Sequence, residues 1–184
     1  MRKVVVSNLI SLDGFIAGPS GEIDWHDVGD DFQSYIAEDL QSIGVILFGR
    51  LTYELLAGYW PTATSDVNDP LLIEAMNSIP KIVFSSTLAS AEWNNAVINR
   101  GDPAHETERM KGEGGEDIVV FGSGTIVSAL SEAGLVDEYR MFVNPVILGA
   151  GRTQFGGLRH RIGLRLEDAK VFDKGLVLLT YTKD

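Results

Sequence analysis

Apolar and polar positions fall in blocks along this chain, and each block predicts one element. Lys3 to Ile10 is an apolar run led by Val4, Val5 and Val6, and it stops at Ser11-Leu12-Asp13-Gly14. β-Branched residues closed by turn formers predict a first strand. A loop carrying Gly14, Gly18, Pro19 and Gly21 follows. From Asp30 to Ile43, the residues Phe32, Tyr35, Ile36, Leu40 and Ile43 recur at helical spacing, with Asp30 or Asp31 suited to the positive end of that helix. Gly44 to Phe48 is almost wholly apolar, as a strand covered on both faces should be. Gly49-Arg50-Leu51-Thr52-Tyr53-Glu54 then opens a second helix that ends near Gly58. Pro61 to Pro70 reads as a polar loop, and Leu71 to Ser78 as a short helix closed by Pro80.

Lys81 to Ser85 predicts a third strand, Ala96 to Asn99 a weaker fourth, and Asp102 to Lys111 a polar helix before the loop Gly112-Glu113-Gly114-Gly115. Ile118 to Phe121 is another buried strand. It runs into Gly122-Ser123-Gly124-Thr125 and an apolar helix from Ile126 to Ala133. After a strand at Tyr139 to Val143, Leu164 to Phe172 and Leu176 to Thr182 face each other across Asp173-Lys174-Gly175 as an antiparallel hairpin. Alternating strands and helices with a terminal hairpin predict the α/β class: a three-layer α/β/α domain on a mixed, mostly parallel sheet. No linker, repeat or low-complexity block divides it, so one domain is expected over 1–184.

Composition changes this picture only by exclusion. At 184 residues, 45% hydrophobic and 22% charged, the chain is an ordinary globular one with no run long enough for a membrane span. The N-terminus has no signal-peptide core, and no cysteine is present, so disulfides, thiolate nucleophiles and Cys-based metal sites are excluded; a cytoplasmic location is expected. A net charge of −11 argues against a nucleic-acid partner but not against a small anionic ligand. Arg152, Arg159, Arg161 and Arg165 cluster with His160 in one stretch, either a self-neutralising loop or an anion-binding rim.

Two strand-to-helix junctions carry the candidate chemistry. A helix that starts after a buried strand offers free backbone N–H groups and a positive dipole end to an anion. At Gly49-Arg50-Leu51-Thr52, a glycine permits close approach, Arg50 can add a charge-assisted bond and Thr52 a hydroxyl; Gly122-Ser123-Gly124-Thr125 repeats the logic with small residues. One such glycine can equally be a packing device, but two junctions fit a single diphosphate held between helix ends. No glycine follows three residues after Gly124, which disfavours a Rossmann fingerprint. The acidic cluster Glu22, Asp24, Asp27, Asp30 and Asp31 with His26 reads as hydrated surface, and no metal is expected.

Ser11-Leu12-Asp13-Gly14-Phe15-Ile16-Ala17, Gly49-Arg50-Leu51-Thr52-Tyr53-Glu54, Lys81-Ile82-Val83-Phe84-Ser85-Ser86-Thr87-Leu88 and Phe121-Gly122-Ser123-Gly124 occur in that order. Leu135-Val136-Asp137-Glu138-Tyr139, Pro145-Val146-Ile147-Leu148-Gly149-Ala150-Gly151 and Phe155 follow. The set resembles the C-terminal reductase domain of the bifunctional riboflavin deaminase-reductase, within the dihydrofolate-reductase-like superfamily. The resemblance implies NADPH, with NADH not excluded. Gly49, Arg50, Thr52 and Tyr53 would lie near its pyrophosphate, with Gly122, Ser123, Gly124, Thr125 and Ile126 closing from the other side. It puts Ser85, Ser86 and Thr87 at the adenosine ribose and the nicotinamide beside Asp13, Gly14 and Ala17. Trp25 and Asp31 resemble the tryptophan and acid of dihydrofolate reductase, which makes Asp31, with Asp13, the expected catalytic group. An N-cap role for Asp30 or Asp31 is the competing reading. Asp13, Gly14, Trp25, Asp31 and Arg152 are expected at the substrate, where Arg152, Arg159 or Arg161 would meet a phosphate.

The chain departs from the riboflavin enzyme where an arginine and an aspartate lead into the second strand; Leu40 and Gly44 stand there. Three functions stay open: a reductase of a C=N or C=O bond in a pyrimidine- or pteridine-like substrate, 5-amino-6-(5-phosphoribosylamino)uracil included; an NADPH-binding sensor without turnover; and a structural domain with no dinucleotide. A homodimer is expected, because the terminal hairpin offers an apolar strand edge.

Overall fold

The computed structural model describes residues 2–184. Its strands are β1 (Val4–Ser11), β2 (Phe15–Ala17), β3 (Ile43–Gly49), β4 (Lys81–Phe84), β5 (Ala96–Asn99), β6 (Asp117–Val120), β7 (Glu138–Asn144), β8 (Arg152–Thr153), β9 (Leu164–Val171) and β10 (Val177–Lys183). The helices are α1 (Asp30–Asp39), α2 (Arg50–Ala57), α3 (Pro70–Ser78), α4 (Pro103–Glu113) and α5 (Gly124–Glu132). Eight strands make one sheet in the order β5-β4-β3-β6-β1-β7-β10-β9. The first six in that order are parallel; β10 returns antiparallel to β7, and β9 antiparallel to β10.

The central strands read as apolar runs because both their faces are covered. Ile46, Phe48, Val83, Val119 and Phe142 pack on one side with Phe32 and Ile36 of α1, Tyr53 of α2 and Leu72 and Met76 of α3. Val4, Val6, Leu47, Ile118 and Val120 pack on the other with Met110 of α4 and Ile126, Val127 and Leu130 of α5. Burying each large apolar side chain contributes roughly 1.5–3 kcal/mol. Truncating Phe48, fully buried at the centre, should therefore cost about 3–5 kcal/mol.

Two expectations change. The first helix stops at Asp39 rather than Ile43: Leu40–Ser42 form a 3₁₀ turn and Ile43 already pairs with Asp117 as the first residue of β3. Apolar spacing continued through the turn because Leu40 and Ile43 are buried in the same core as α1. The loop after β1 also contains β2, which pairs antiparallel with β8 as Phe15 with Thr153 and Ala17 with Arg152. Gly151 has φ +151, and a Cβ there would lie 2.2 Å from the Ala17 carbonyl oxygen, so only glycine lets the two segments meet.

Candidate functional site

The carboxyl-terminal ends of β3 and β6 are neighbours, so the two glycine-led junctions meet. The Gly49 amide donates to the Gly122 carbonyl at 2.9 Å. A Cβ on Gly49 would come within 2.4 Å of Ser123 Oγ, and one on Gly122, at φ +100, within 3.3 Å of Thr52 Oγ1. A Cβ on Gly124 would sit 2.8 and 3.0 Å from the carbonyl oxygens of Thr153 and Gln154. The N-termini of α2 and α5 are thus packed together under β8. Neither has a side-chain cap: Gly49 has none to offer, and Ser123 Oγ bonds Thr125 Oγ1 at 2.7 Å instead. Apart from the Ile126 amide, which donates to the Ser123 carbonyl at 3.0 Å, their first-turn N–H groups are left for another acceptor.

Both ends open on a cavity of about 920 Å³ between the sheet, the first three helices and the β2–β8 pair. Thr52, Ser123, Gly124 and Thr125 line it at the helix ends, and Ala17 and Arg152 line it on the β2–β8 side. Phe32 and Ile36 of α1, Leu55 of α2, Trp60 of the turn after α2 and Met76 of α3 add an apolar wall. The floor is polar and mostly paired within the chain, although the buried Gln154 Oε1 has no partner among the described residues. With its amide nitrogen toward the carbonyls of Phe121 (3.0 Å) and Ser7 (3.1 Å), Asn8 accepts from Gln154 Nε2 at 2.8 Å. Gln154 is itself buried, and its amide donates to the Gly14 carbonyl at 3.1 Å. That pair ties β1 to the strand-end loops that roof the site.

Other expected residues lie elsewhere. Asp31 does not line the cavity: its carboxylate accepts from the Phe32 amide at 2.8 Å and, across the fold, from the Asp173 amide at 2.7 Å. Asp30 is exposed at the same helix end. Asp13 is also outside the lining and staples two loops, accepting from Ser11 Oγ at 2.7 Å and from the amides of Leu148 (3.1 Å) and Gly149 (2.8 Å). The Ser11 hydroxyl and those amides hold its carboxyl below the usual range. Tyr53 turns into the core, where its hydroxyl accepts from the Trp93 amide at 3.1 Å. Ile126 is buried against the sheet. Arg50 is exposed and paired with Glu54 at 2.9 Å. Gly14 and Trp25 lie outside the lining, Trp25 donating to the Glu22 carbonyl at 3.2 Å. Arg159 and Arg161 are also absent from it; Arg161 instead borders a smaller hollow with His160, Lys183 and Asp184.

Ser85, Ser86 and Thr87 form a turn at the end of β4, outside the cavity, in which Ser85 Oγ accepts from the amides of Thr87 (3.2 Å) and Leu88 (2.9 Å). Arg100, from the end of β5, lies across it and donates to the carbonyls of Ser86 (2.9 Å) and Leu88 (3.0 Å). No cation stands near these hydroxyls along the chain; the pairing of β4 with β5 brings Arg100 to the carbonyls of this turn. His26 is the other omission. It lines the cavity, its Nε2 is shut from solvent without a partner, and burial pushes its pKa down to about 4, which keeps the ring neutral.

The RibD C-terminal domain family matches residues 2–178. The chain belongs to that family. It is 31% identical over 180 residues to the uncharacterized protein YyaP of Bacillus subtilis, covering 98% of this chain and 94% of that one. A diaminohydroxyphosphoribosylaminopyrimidine deaminase/5-amino-6-(5-phosphoribosylamino)uracil reductase from Thermotoga maritima superposes over 100% of this chain and 57% of its own, at 16% identity and TM-score 0.71. Dihydrofolate reductase from Enterococcus faecalis, solved with NADP(H), superposes over 99% and 96% at 16% identity and TM-score 0.65. The fold is therefore the dihydrofolate-reductase-like one, and this RibD C-terminal domain carries it across its described length. Among the described residues, no helix is long and apolar enough to cross a membrane.

Proposed function

We propose that the protein is an NADPH-dependent reductase that transfers hydride to a flat pyrimidine- or pteridine-like heterocycle. The observation that carries this reading is the meeting of two uncapped helix N-termini, at Gly49 and Ser123, on one wall of a large cavity. Two sets of free N–H groups and two positive dipole ends suit one diphosphate. The cofactor supplies the hydride when bound; the chain's task is to hold it and to keep water from the acceptor. Thr52, Ser123 and Thr125 would bond the diphosphate, and Ala17 leaves room for the nicotinamide. Ser85 to Thr87 would meet the adenosine ribose, with Arg100 the cation for a 2′-phosphate.

The test is a fluorescence titration with NADPH and NADH, followed by NADPH absorbance with 5-amino-6-(5-phosphoribosylamino)uracil and with pterins. Saturable NADPH binding that Arg100→Ala weakens by about tenfold, with NADH affinity unchanged, is expected. Absence of binding to either dinucleotide overturns the reading. The same proposal includes a homodimer. All eight residues of β9 are exposed at the free edge of the sheet, Leu164, Leu166 and Val171 among them, and two such edges can pair about a twofold axis. Light scattering on the eluting protein should give twice the chain mass, and a monomer mass refutes this part alone.

A further inference from the structure

The cavity wall carries few titratable side chains. Among the described residues that line it there is no carboxylate, lysine, tyrosine or cysteine; the titratable groups are His26 and Arg152. The two aspartates nearest in sequence expectation are committed to backbone amides elsewhere, Asp13 to Leu148 and Gly149 and Asp31 to Phe32 and Asp173. Burial alone keeps His26 neutral near pH 7, so it is no acid there. Reduction of an isolated C=N or C=O bond leaves a strongly basic nitrogen or oxygen, which calls for a proton from a positioned acid. This wall supplies none.

It does supply a free cation. Arg50, Arg109, Arg140 and Arg165 are paired with carboxylates, and Arg2 and Arg100 with backbone carbonyls. Among the described residues Arg152 has neither kind of partner. Its guanidinium lies over Gly21, where a Cβ would be 3.2 Å from Nη2 and φ is +90, so a side chain at 21 would displace it. In the same cavity Phe32, Ile36, Leu55, Trp60 and Met76 line the wall with apolar side chains, which suit the apolar face of a ring better than a phosphorylated sugar.

We infer that the acceptor is a conjugated ring system whose two-electron-reduced form is a stable anion, of the isoalloxazine or quinone kind, and that Arg152 stabilises that anion. The inference rests on the NADPH binding and hydride transfer proposed above and replaces the acceptor proposed there. In the step, the C4–H bond of the dihydronicotinamide breaks and its electron pair and hydrogen form a new bond to the acceptor. The nicotinamide becomes the oxidised cation. The acceptor gains one negative charge, spread over its conjugated carbonyl system beside the guanidinium, and no proton is consumed.

The experiment is anaerobic NADPH oxidation with riboflavin, FMN and a short-chain quinone, set against a pterin and 5-amino-6-(5-phosphoribosylamino)uracil. Flavin binding is measured separately by fluorescence quenching in the presence of NADP⁺. Turnover of a flavin names the isoalloxazine source and turnover of the quinone names the other; either supports the inference. Arg152→Ala should lower kcat about tenfold or more and leave the KM for NADPH unchanged, while Arg152→Lys recovers part of it. A thermal melt checks that both variants fold. If only the pterin or the uracil ribotide is reduced, or Arg152→Ala changes nothing with a flavin or quinone, the inference fails and the reductase reading stands. Loss of NADPH binding itself would instead remove the reading beneath it.

Discussion

Helices α3 and α4 begin one way and helices α2 and α5 another. Asp69 caps α3 by accepting from the Leu71 amide at 2.8 Å, and Asp102 caps α4 by accepting from the His105 amide at 2.9 Å. Each satisfies an orphan donor with the chain's own carboxylate. Gly49 and Ser123, which begin α2 and α5, offer no side-chain cap, and these two ends open on the cavity. Closed ends serve the fold; open ends keep donors and dipole for an anion brought from outside. α1 also begins on a glycine, Gly29, without a side-chain cap, but its own Asp31 accepts from the Phe32 amide, so one of its free donors is already taken up within the chain.

Closing an open end is the strongest way to break the comparison. Ser123→Asp puts a capping carboxylate at the start of α5, where it would stabilise the helix and repel the diphosphate. NADPH affinity should fall about a hundredfold while the melting temperature holds or rises. A titration curve like that of the unaltered protein would mean that α5 does not face the cofactor.

A second effect separates the cavity wall from the helix ends by pH. Thr52, Ser123, Gly124 and Thr125 carry no ionisable side chain, whereas His26 has its pKa lowered from 6.5 to about 4 by burial. The unfolded chain therefore binds a proton at His26 before the folded chain does. The stability contributed by the neutral ring is whole above pH 6.5 and is lost progressively as pH falls from 6.5 through 4, the loss reaching about 2 kcal/mol at pH 5. Urea midpoints at pH 7.5 and 5 should fall further for the unaltered protein than for His26→Leu, by about that amount. Equal losses would show that the imidazole is hydrated.

Asp31 tests whether α1 belongs with the closed ends. Asp31→Ala removes the bonds to the Phe32 and Asp173 amides, and should cost about 1–2 kcal/mol of stability with kcat unchanged. A drop in kcat with stability intact would return Asp31 to the role of proton donor.

The same contrast explains what the sequence could tell. Strands β1, β3 and β6 were legible because burial on both faces leaves an apolar run, and α3 and α4 because Pro80 and the glycine-rich loop after Lys111 mark their ends. The open ends were legible too, since glycine and small residues after a buried strand are a local signal. What could not be read were partnerships across the chain: β2 with β8, Asp31 with the Asp173 amide, Arg100 with the turn at Ser85, and Asn8 with Gln154. Asp31 beside Asp30 at a helix start has the same local pattern whether it caps, anchors a loop or protonates a substrate. His26 stood among loop carboxylates, and only the packing around it distinguishes a buried imidazole from hydrated surface.

The smallest expected effect is the control that gives the others meaning. Asp102→Ala opens a closed end at α4 by removing the acceptor for the His105 amide, yet leaves that end away from the cavity. It should lower stability by about 1 kcal/mol. NADPH affinity and turnover should not change, because an open helix end binds a diphosphate only where a second end and a cavity face the same ligand. If Asp102→Ala weakened NADPH binding as Ser123→Asp does, the loss would report general loosening of the sheet and its helices, and the assignment of the Gly49 and Ser123 ends to the cofactor would lose its support.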